Sequence, residues 1–134
     1  MSFTANTSIP GVGTVANEDI VAYDLGTGTW SLVFDGSDVG LGSLAISGMA
    51  VQADGDILLS FTAAGSITGL IGGPDGNNFD DSDIVRFTPT SLGSTTAGSF
   101  AFHFDGSDVG LTTNNEDIDA IGINGDGRLI ISTI

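Results

Sequence analysis

Residues 34–41 read FDGSDVGL, and residues 104–111 read FDGSDVGL again. An eight-residue identity inside a chain of 134 residues marks an internal repeat. Repeated units too small to bury their apolar faces alone must stack on one another, so the candidate folds narrow to repeat architectures. The likeness extends outward from the identity. ISGMAVQADGDILLS (46–60) aligns with IDAIGINGDGRLIIS (118–132), an offset of 72 (118 − 46). EDIVAYD (18–24) aligns with SDIVRFT (82–88), an offset of 64 (82 − 18). SFTANTSIPG (2–11) aligns with SFTAAGSITG (60–69), an offset of 58 (60 − 2). The offsets grow along the chain, so the copies differ by short insertions between apolar runs, where loops belong.

Each copy carries four apolar runs of strand length, separated by Gly, Asp, Asn, Ser and Thr. No segment sustains a helical period. The first copy predicts strands over 19–25, 29–35, 45–52 and 56–62, and the second over 83–88, 98–105, 117–123 and 128–134. ADGD (53–56) and NGDG (124–127) both contain Asp-Gly, a strong hairpin signal, and LGTG (25–28) supplies another tight turn. The expected class is all-β. Four antiparallel strands per repeat is the grammar of a β-propeller blade.

The order of an apolar strand, a DG turn, a second apolar strand, a DIVxF strand and an aromatic strand resembles propeller repeats of the YVTN and NHL kind. FDGSDVGL, EDIDAIGI and DGRLIIST are also similar to a repeat of bacterial secreted proteins without a settled function. The resemblance spans nearly the whole chain and speaks to fold far more than to activity. It implies that the strand before the DG turn is innermost. Strands a are then 45–52 and 117–123, strands b 56–62 and 128–134, strands c 19–25 and 83–88, and strands d 29–35 and 98–105.

On this mapping one complete blade occupies about 45–105, and a second is split between 1–35 and 117–134. Two blades cannot close a ring, because propellers need roughly four to eight. An isolated chain would leave strand edges and apolar faces open. The expected partner is therefore the chain itself, strands a and b of one copy pairing with c and d of the next until a ring closes. Three chains would give six blades and four would give eight, with the trimer preferred.

Seventeen acidic residues stand against two basic ones, Arg86 and Arg128, for a net charge of −15. Such a field repels nucleic acid and anionic membrane and attracts cations. The same acidity also serves to keep an apolar, strand-rich protein soluble. Cysteine is absent, which removes thiol chemistry and disulfides. No stretch approaches the ~20 apolar residues of a membrane helix, and MSFTANTS has no signal-peptide pattern. Compartment stays open, with the extracellular space favoured.

In a propeller the d–a and b–c loops share one face, and these loops hold most of the carboxylates. Calcium takes six to eight oxygens from flexible loops, and the candidate ligands are Asp117, Asp119, Glu116, Asp108, Asp81 and Asp83. Asp117 and Asp119 alternate on an inner strand, so both should project to one side. No EF-hand spacing is present, and GGPDGNNFD (72–80) is a single faint echo of a calcium-binding nonapeptide. Asp and Asn also fill such loops simply to cap turns. Trp30, Leu32 and Phe34 alternate as Phe100, Phe102 and Phe104 do, the pattern of a buried strand face. His103 is the lone histidine, and no GxSxG elbow occurs. Gly36 and Gly106 should permit a tight turn.

The function expected is a non-catalytic structural or binding module, a ring with an acidic, cation-attracting face open to a glycan or protein ligand. One alternative is a calcium-dependent, lactonase-like propeller hydrolase using the inner-loop carboxylates with Asn114 or Asn115. Another is a sugar-binding lectin ring, which the shortage of exposed aromatics disfavours.

Overall fold

The structure, a computed structural model, describes residues 1–113 and 115–134. It is all-β: strands and two single 3-10 turns, at Ser37–Val39 and Ser107–Val109, account for the regular structure among the described residues. The strands are β1 (Thr7–Ile9), β2 (Gly13–Val15), β3 (Ile20–Asp24), β4 (Thr29–Phe34), β5 (Ile46–Val51), β6 (Ile57–Phe61), β7 (Gly65–Ser66), β8 (Asn78–Phe79), β9 (Ile84–Ser91), β10 (Ala97–Phe104), β11 (Ile118–Ile123) and β12 (Leu129–Thr133). They form several small antiparallel sheets, none of them closed.

The central sheet has four strands in the order β5-β6-β9-β10. Each strand pairs antiparallel with its neighbour, Val51 opposite Ile57, Leu59 opposite Val85, and Phe87 opposite Phe100. β6 reads ILLSF and is buried at every position. Such an unbroken apolar run is what a strand covered on both faces requires. Ile57, Leu59 and Phe61 join one core with Phe87 and Phe100, while Leu58 joins another with Ile84 and Ile118. Alternation along β6 puts these two cores on opposite faces of the sheet.

Two hairpins cover those faces. β3 and β4 form one, contributing Ile20 and Phe34 to the first core, with the Phe34 ring edge-on to Phe87 at 5.1 Å. β11 and β12 form the other, contributing Ile118, Ile121, Leu129 and Ile131 to the second core. There the Ile118 carbonyl accepts hydrogen bonds from Ser47 Oγ at 2.7 Å and Ser60 Oγ at 2.8 Å. Packed through the two cores are therefore a two-stranded sheet, the four-stranded sheet and a second two-stranded sheet.

Two features depart from the sequence reading. The loops over 5–18 and 63–82 are not irregular but carry small ladders, β1 with β2 and β7 with β8. These are themselves repeated: Ile9 and Val15 match Ile67 and Phe79, and all four side chains are buried. Apolar residues spaced around glycine turns were enough to fold each loop onto the core. The second departure is the β9–β10 hairpin, which is longer than β3–β4. Its turn reaches the first copy, where Gly93 N donates to Val33 O at 2.7 Å. Thr96 bonds there too, donating from N to Asp38 Oδ2 and accepting at Oγ1 from Asp35 N, both at 2.9 Å.

Candidate functional site

The repeated FDGSDVGL folds identically in both copies. Asp35 Oδ1 accepts from Ser37 N and Oγ, at 3.1 and 2.7 Å. Asp105 Oδ1 accepts from Ser107 N and Oγ, at 2.9 and 2.6 Å. The loop then closes from Leu41 N to Gly36 O and from Leu111 N to Gly106 O, each at 2.9 Å. Gly40 and Gly110 carry the left-handed turn, with φ of 84° and 89°. Gly36 and Gly106 do not: their φ values are −69° and −63°, ordinary right-handed geometry. Their lack of a side chain serves a different need. A Cβ would stand 2.4 Å from Glu18 O at Gly36 and 2.4 Å from Ser82 O at Gly106.

A buried carboxylate secures that close approach in each copy. Asp19 accepts from Gly36 N at 3.0 Å and from Ala16 N at 2.8 Å, one bond to each oxygen. Asp83 accepts from Gly106 N at 3.0 Å and from Asp80 N at 2.7 Å in the same way. Burial pushes the Asp83 carboxyl above its ordinary pKa, against the pull of the two backbone donors. Asp83, one of the six candidate ligands, thus has both oxygens engaged, one within its own loop and one across to the other.

The remaining candidates fall into different settings. Glu116 Oε2 accepts from Thr112 N at 2.7 Å and Thr113 N at 2.9 Å, and those bonds, Thr113 foremost, hold its pKa below the usual range. Asp119 Oδ1 accepts from Ser132 Oγ at 2.5 Å. The β-bulge between Ile118 and Ala120 interrupts the alternation expected around Asp119. Asp108 is exposed on its 3-10 turn. Asn115 is exposed, and Asn114 lies outside the described residues.

Asp81 and Asp117 come together, with Asp80 beside them. The contact is a consequence of the fold: Ile118 N donates to Asp81 O at 3.1 Å, as Ile46 N donates to Asn17 O at 3.1 Å in the first copy. The first copy has the neutral Asn17 and Ala45 at these positions, so the carboxylate pair belongs to the second copy alone. Burial, followed by the Asp117 and Asp80 charges, raises the Asp81 pKa to about 6. As two carboxylates the pair contains no donor, and Asp117 Oδ1 is buried without a hydrogen-bond partner. Below about pH 6 a proton on Asp81 would supply that donor.

The sign of the pH dependence follows. Asp81 titrates at about 6 in the fold against 3.8 unperturbed, so the folded chain binds more protons between those values. Stability contributed by the protonated pair is present at the acidic end of this window and is lost as pH rises through 6. The raised Asp83 acts in the same direction. Glu116 and the turn residue Asp24, both depressed, act oppositely and lose their contribution only as pH falls through the ordinary carboxylate range. The melting temperature should therefore be higher near about pH 5 than near about pH 8. The double variant Asp81→Asn/Asp117→Ala, which restores the first copy's chemistry, should flatten that difference in a thermal melt. An unchanged slope would assign the effect to the general repulsion of a net charge of −15.

A cleft of about 490 Å³ opens beside Phe79, lined by Asp75, Asp80, Asp83, Asp105 and Ser107. Its carboxylates already accept local donors: Asp75 from Asn78 Nδ2 at 2.9 Å, Asp80 from Asp81 N at 2.9 Å. Among the described residues no three His, Cys, Asp or Glu side chains converge as a metal-holding group.

Comparison with protein-family models, with curated proteins and with solved structures finds no significant match. The likeness to propeller repeats thus rests on the residues of this chain. Trp30 is half-buried over Ile9, Val15 and Val21, with its ring 4.8 Å from that of Tyr23. His103 is exposed on β10.

What the sequence reading missed is the stapling role of Asp19 and Asp83. Their signal was present: both begin the shared DIV segment, Asp19-Ile20-Val21 and Asp83-Ile84-Val85. Thr96 had no such signal, because the longer hairpin that carries it has no counterpart in the first copy.

Proposed function

We propose that the chain is a non-catalytic structural or binding module of the β-propeller type, which assembles head to tail into a closed ring with an acidic face. One observation carries this reading. A complete four-stranded sheet is flanked on opposite faces by two half-sheets, and the halves are the two strands that each lacks. Strands β11 and β12 supply the a and b positions of a blade, and β3 and β4 of a neighbouring copy supply c and d. Three copies would make six blades, the preferred ring, and four would make eight.

The acidic loops suit a cation-attracting face, and the crowding of Asp81 against Asp117 and Asp80 favours that role, since a cation would relieve the same repulsion as a proton. Calcium is the hard cation whose ligand preferences fit carboxylate-rich loops.

Mass in solution tests the ring. Light scattering or native mass spectrometry, with and without calcium, should return one discrete multiple of 13.5 kDa, three chains first and four next. A mass of 13.5 kDa at every concentration, with and without calcium, would remove the ring.

A further inference from the structure

Among the described residues, the edge of β12 away from β11 and the edge of β3 away from β4 have no partner strand in the single chain. In the complete sheet the same two repeat positions are joined, Ile57 opposite Phe87, Leu58 opposite Arg86 and Leu59 opposite Val85. The offsets of 72 and 64 carry these pairs onto Leu129 opposite Tyr23, Ile130 opposite Ala22 and Ile131 opposite Val21. Side chains that the joined strands bury are bare in the separated ones. Leu58 is 0% exposed and its counterpart Ile130 56%; Phe87 is 0% exposed and its counterpart Tyr23 46%. Neither residues 129–133 nor residues 20–23 carry a charge or a proline, the usual devices that keep an edge from pairing.

The β3 edge already displays the register it accepts. Met1 N donates to Val21 O at 2.9 Å, and Val21 N donates to Met1 O at 3.0 Å. Ser2 Oγ donates to Ile46 O at 3.4 Å. The alignment of SFTA at 2–5 with SFTA at 60–63 makes Met1 the counterpart of Leu59 and Ser2 the counterpart of Ser60. Leu59 is the residue opposite Val85, and Ser60 Oγ is the donor to Ile118 O, the counterparts of Val21 and Ile46. The N-terminal residues thus reproduce in miniature the contacts of a b strand. In β12 the residues at those same repeat positions are Ile131 and Ser132.

We propose that β12 of a second copy of this chain adds to β3 in this register, displacing Met1 and Ser2, so that Ile131 takes over the Val21 hydrogen bonds and Ser132 stands beside Ile46. This rests on the head-to-tail reading and assigns its contacts. Met1 and Ser2 are poor occupants of the edge. They bring two residues where β12 brings five already paired to β11, and they press the terminal ammonium against a partly buried edge, which lowers its pKa. The N-terminus and the incoming strand compete for one slot.

The chain contains no cysteine, so engineered pairs report the register directly. Met1 and Val21 form the hydrogen-bonded type of pair, which makes the flanking Ala22 and Ile130 the non-hydrogen-bonded type. Such pairs bring Cα atoms to about 4.5 Å, within disulfide reach. On oxidation the variant Ala22→Cys/Ile130→Cys should convert to covalent multimers. The slipped variant Tyr23→Cys/Ile130→Cys, whose side chains would face opposite sides, should stay as single chains. Removal of Met1 and Ser2 should lower the concentration at which the first variant cross-links by about tenfold, the worth of roughly one hydrogen bond. Equal cross-linking of both variants, or none in a protein whose mass is multimeric, overturns the register and leaves the ring standing. Weaker cross-linking after removal of residues 1 and 2 overturns the competition. A monomeric mass in every variant removes the ring and the register together.

Discussion

Gly106→Ala is expected to destabilise the fold by about 3 kcal/mol or more, the upper end of overpacking costs, and to lower the melting temperature by roughly 10 °C. The backbone there is already right-handed, with φ of −63°, so alanine meets no conformational penalty and the cost is steric. The obstacle is the Ser82 carbonyl oxygen at 2.4 Å from the new Cβ, with Ser82 Cβ at 2.7 Å. Ser82 cannot simply retreat. The next residue, Asp83, is held by bonds from Gly106 N and Asp80 N, and Asp83 leads directly into β9. Gly36→Ala should behave alike, because its Cβ would meet Glu18 O at 2.4 Å. Gly110→Ala is the internal control. That position has φ of 89° and no neighbouring atom within 4 Å, so alanine should cost only the left-handed strain, about 1–2 kcal/mol. Denaturant melts of the three variants should rank Gly106 and Gly36 together above Gly110. The reverse ranking would mean that turn conformation, rather than close approach of the two loops, fixes these glycines in the motif.

The repeat made the secondary structure legible. Apolar runs bounded by Asp-Gly turns placed β5, β6, β11 and β12 within a residue or two of their positions, because each run alternates or is fully apolar and each boundary has turn chemistry. The all-β class followed from the same pattern. The small ladders β1–β2 and β7–β8 were harder to read, since Thr7–Ile9 and Asn78–Phe79 are short and sit among glycine and asparagine. Ile9, Val15, Ile67 and Phe79 betray them, by being buried. The length of the β9–β10 hairpin was not legible either. The strand expected over 83–88 runs on through Pro89 to Ser91, with a register shift at Ala97 and Gly98.

In the acidic loops, composition does not say which carboxylates are already engaged. Sequence counts carboxylates but not the donors that meet them. Glu116, Asp119 and Asp75 each accept hydrogen bonds within their own loop or hairpin, the local role that Asp and Asn play in turns generally. Where two loops from different parts of the chain meet, at Asp81 and Asp117, carboxylates crowd without enough donors. That meeting depends on the bond from Ile118 N to Asp81 O, a tertiary contact between residues 37 positions apart that no local pattern announces.

Asp83→Ala should cost about 3–5 kcal/mol, among the largest effects of any polar substitution in this chain. The side chain is buried, and its two oxygens satisfy two backbone N–H groups, those of Asp80 and Gly106. Deleting it strands the buried Gly106 donor and the partly buried Asp80 donor, and an orphaned buried donor costs about 1–3 kcal/mol. The cost of burying the carboxylate, visible in its raised pKa, offsets part of what the two bonds contribute and holds the total below the simple sum. Asp83→Asn keeps one acceptor but turns an amide N–H toward the other donor, so it should fall between wild type and alanine. Asp19→Ala removes the equivalent bonds from Ala16 and Gly36 and should cost a comparable amount. The coupling between positions separates this account from a generic loss of charge. Asp83→Ala and Gly106→Ala act on one shared contact and should be less than additive, whereas Asp83→Ala and Asp19→Ala act on separate loops and should add within about 0.5 kcal/mol. Denaturant titration of the single and double variants measures both couplings. Full additivity of the Asp83 and Gly106 changes would show that the two loops are held together by something other than this staple.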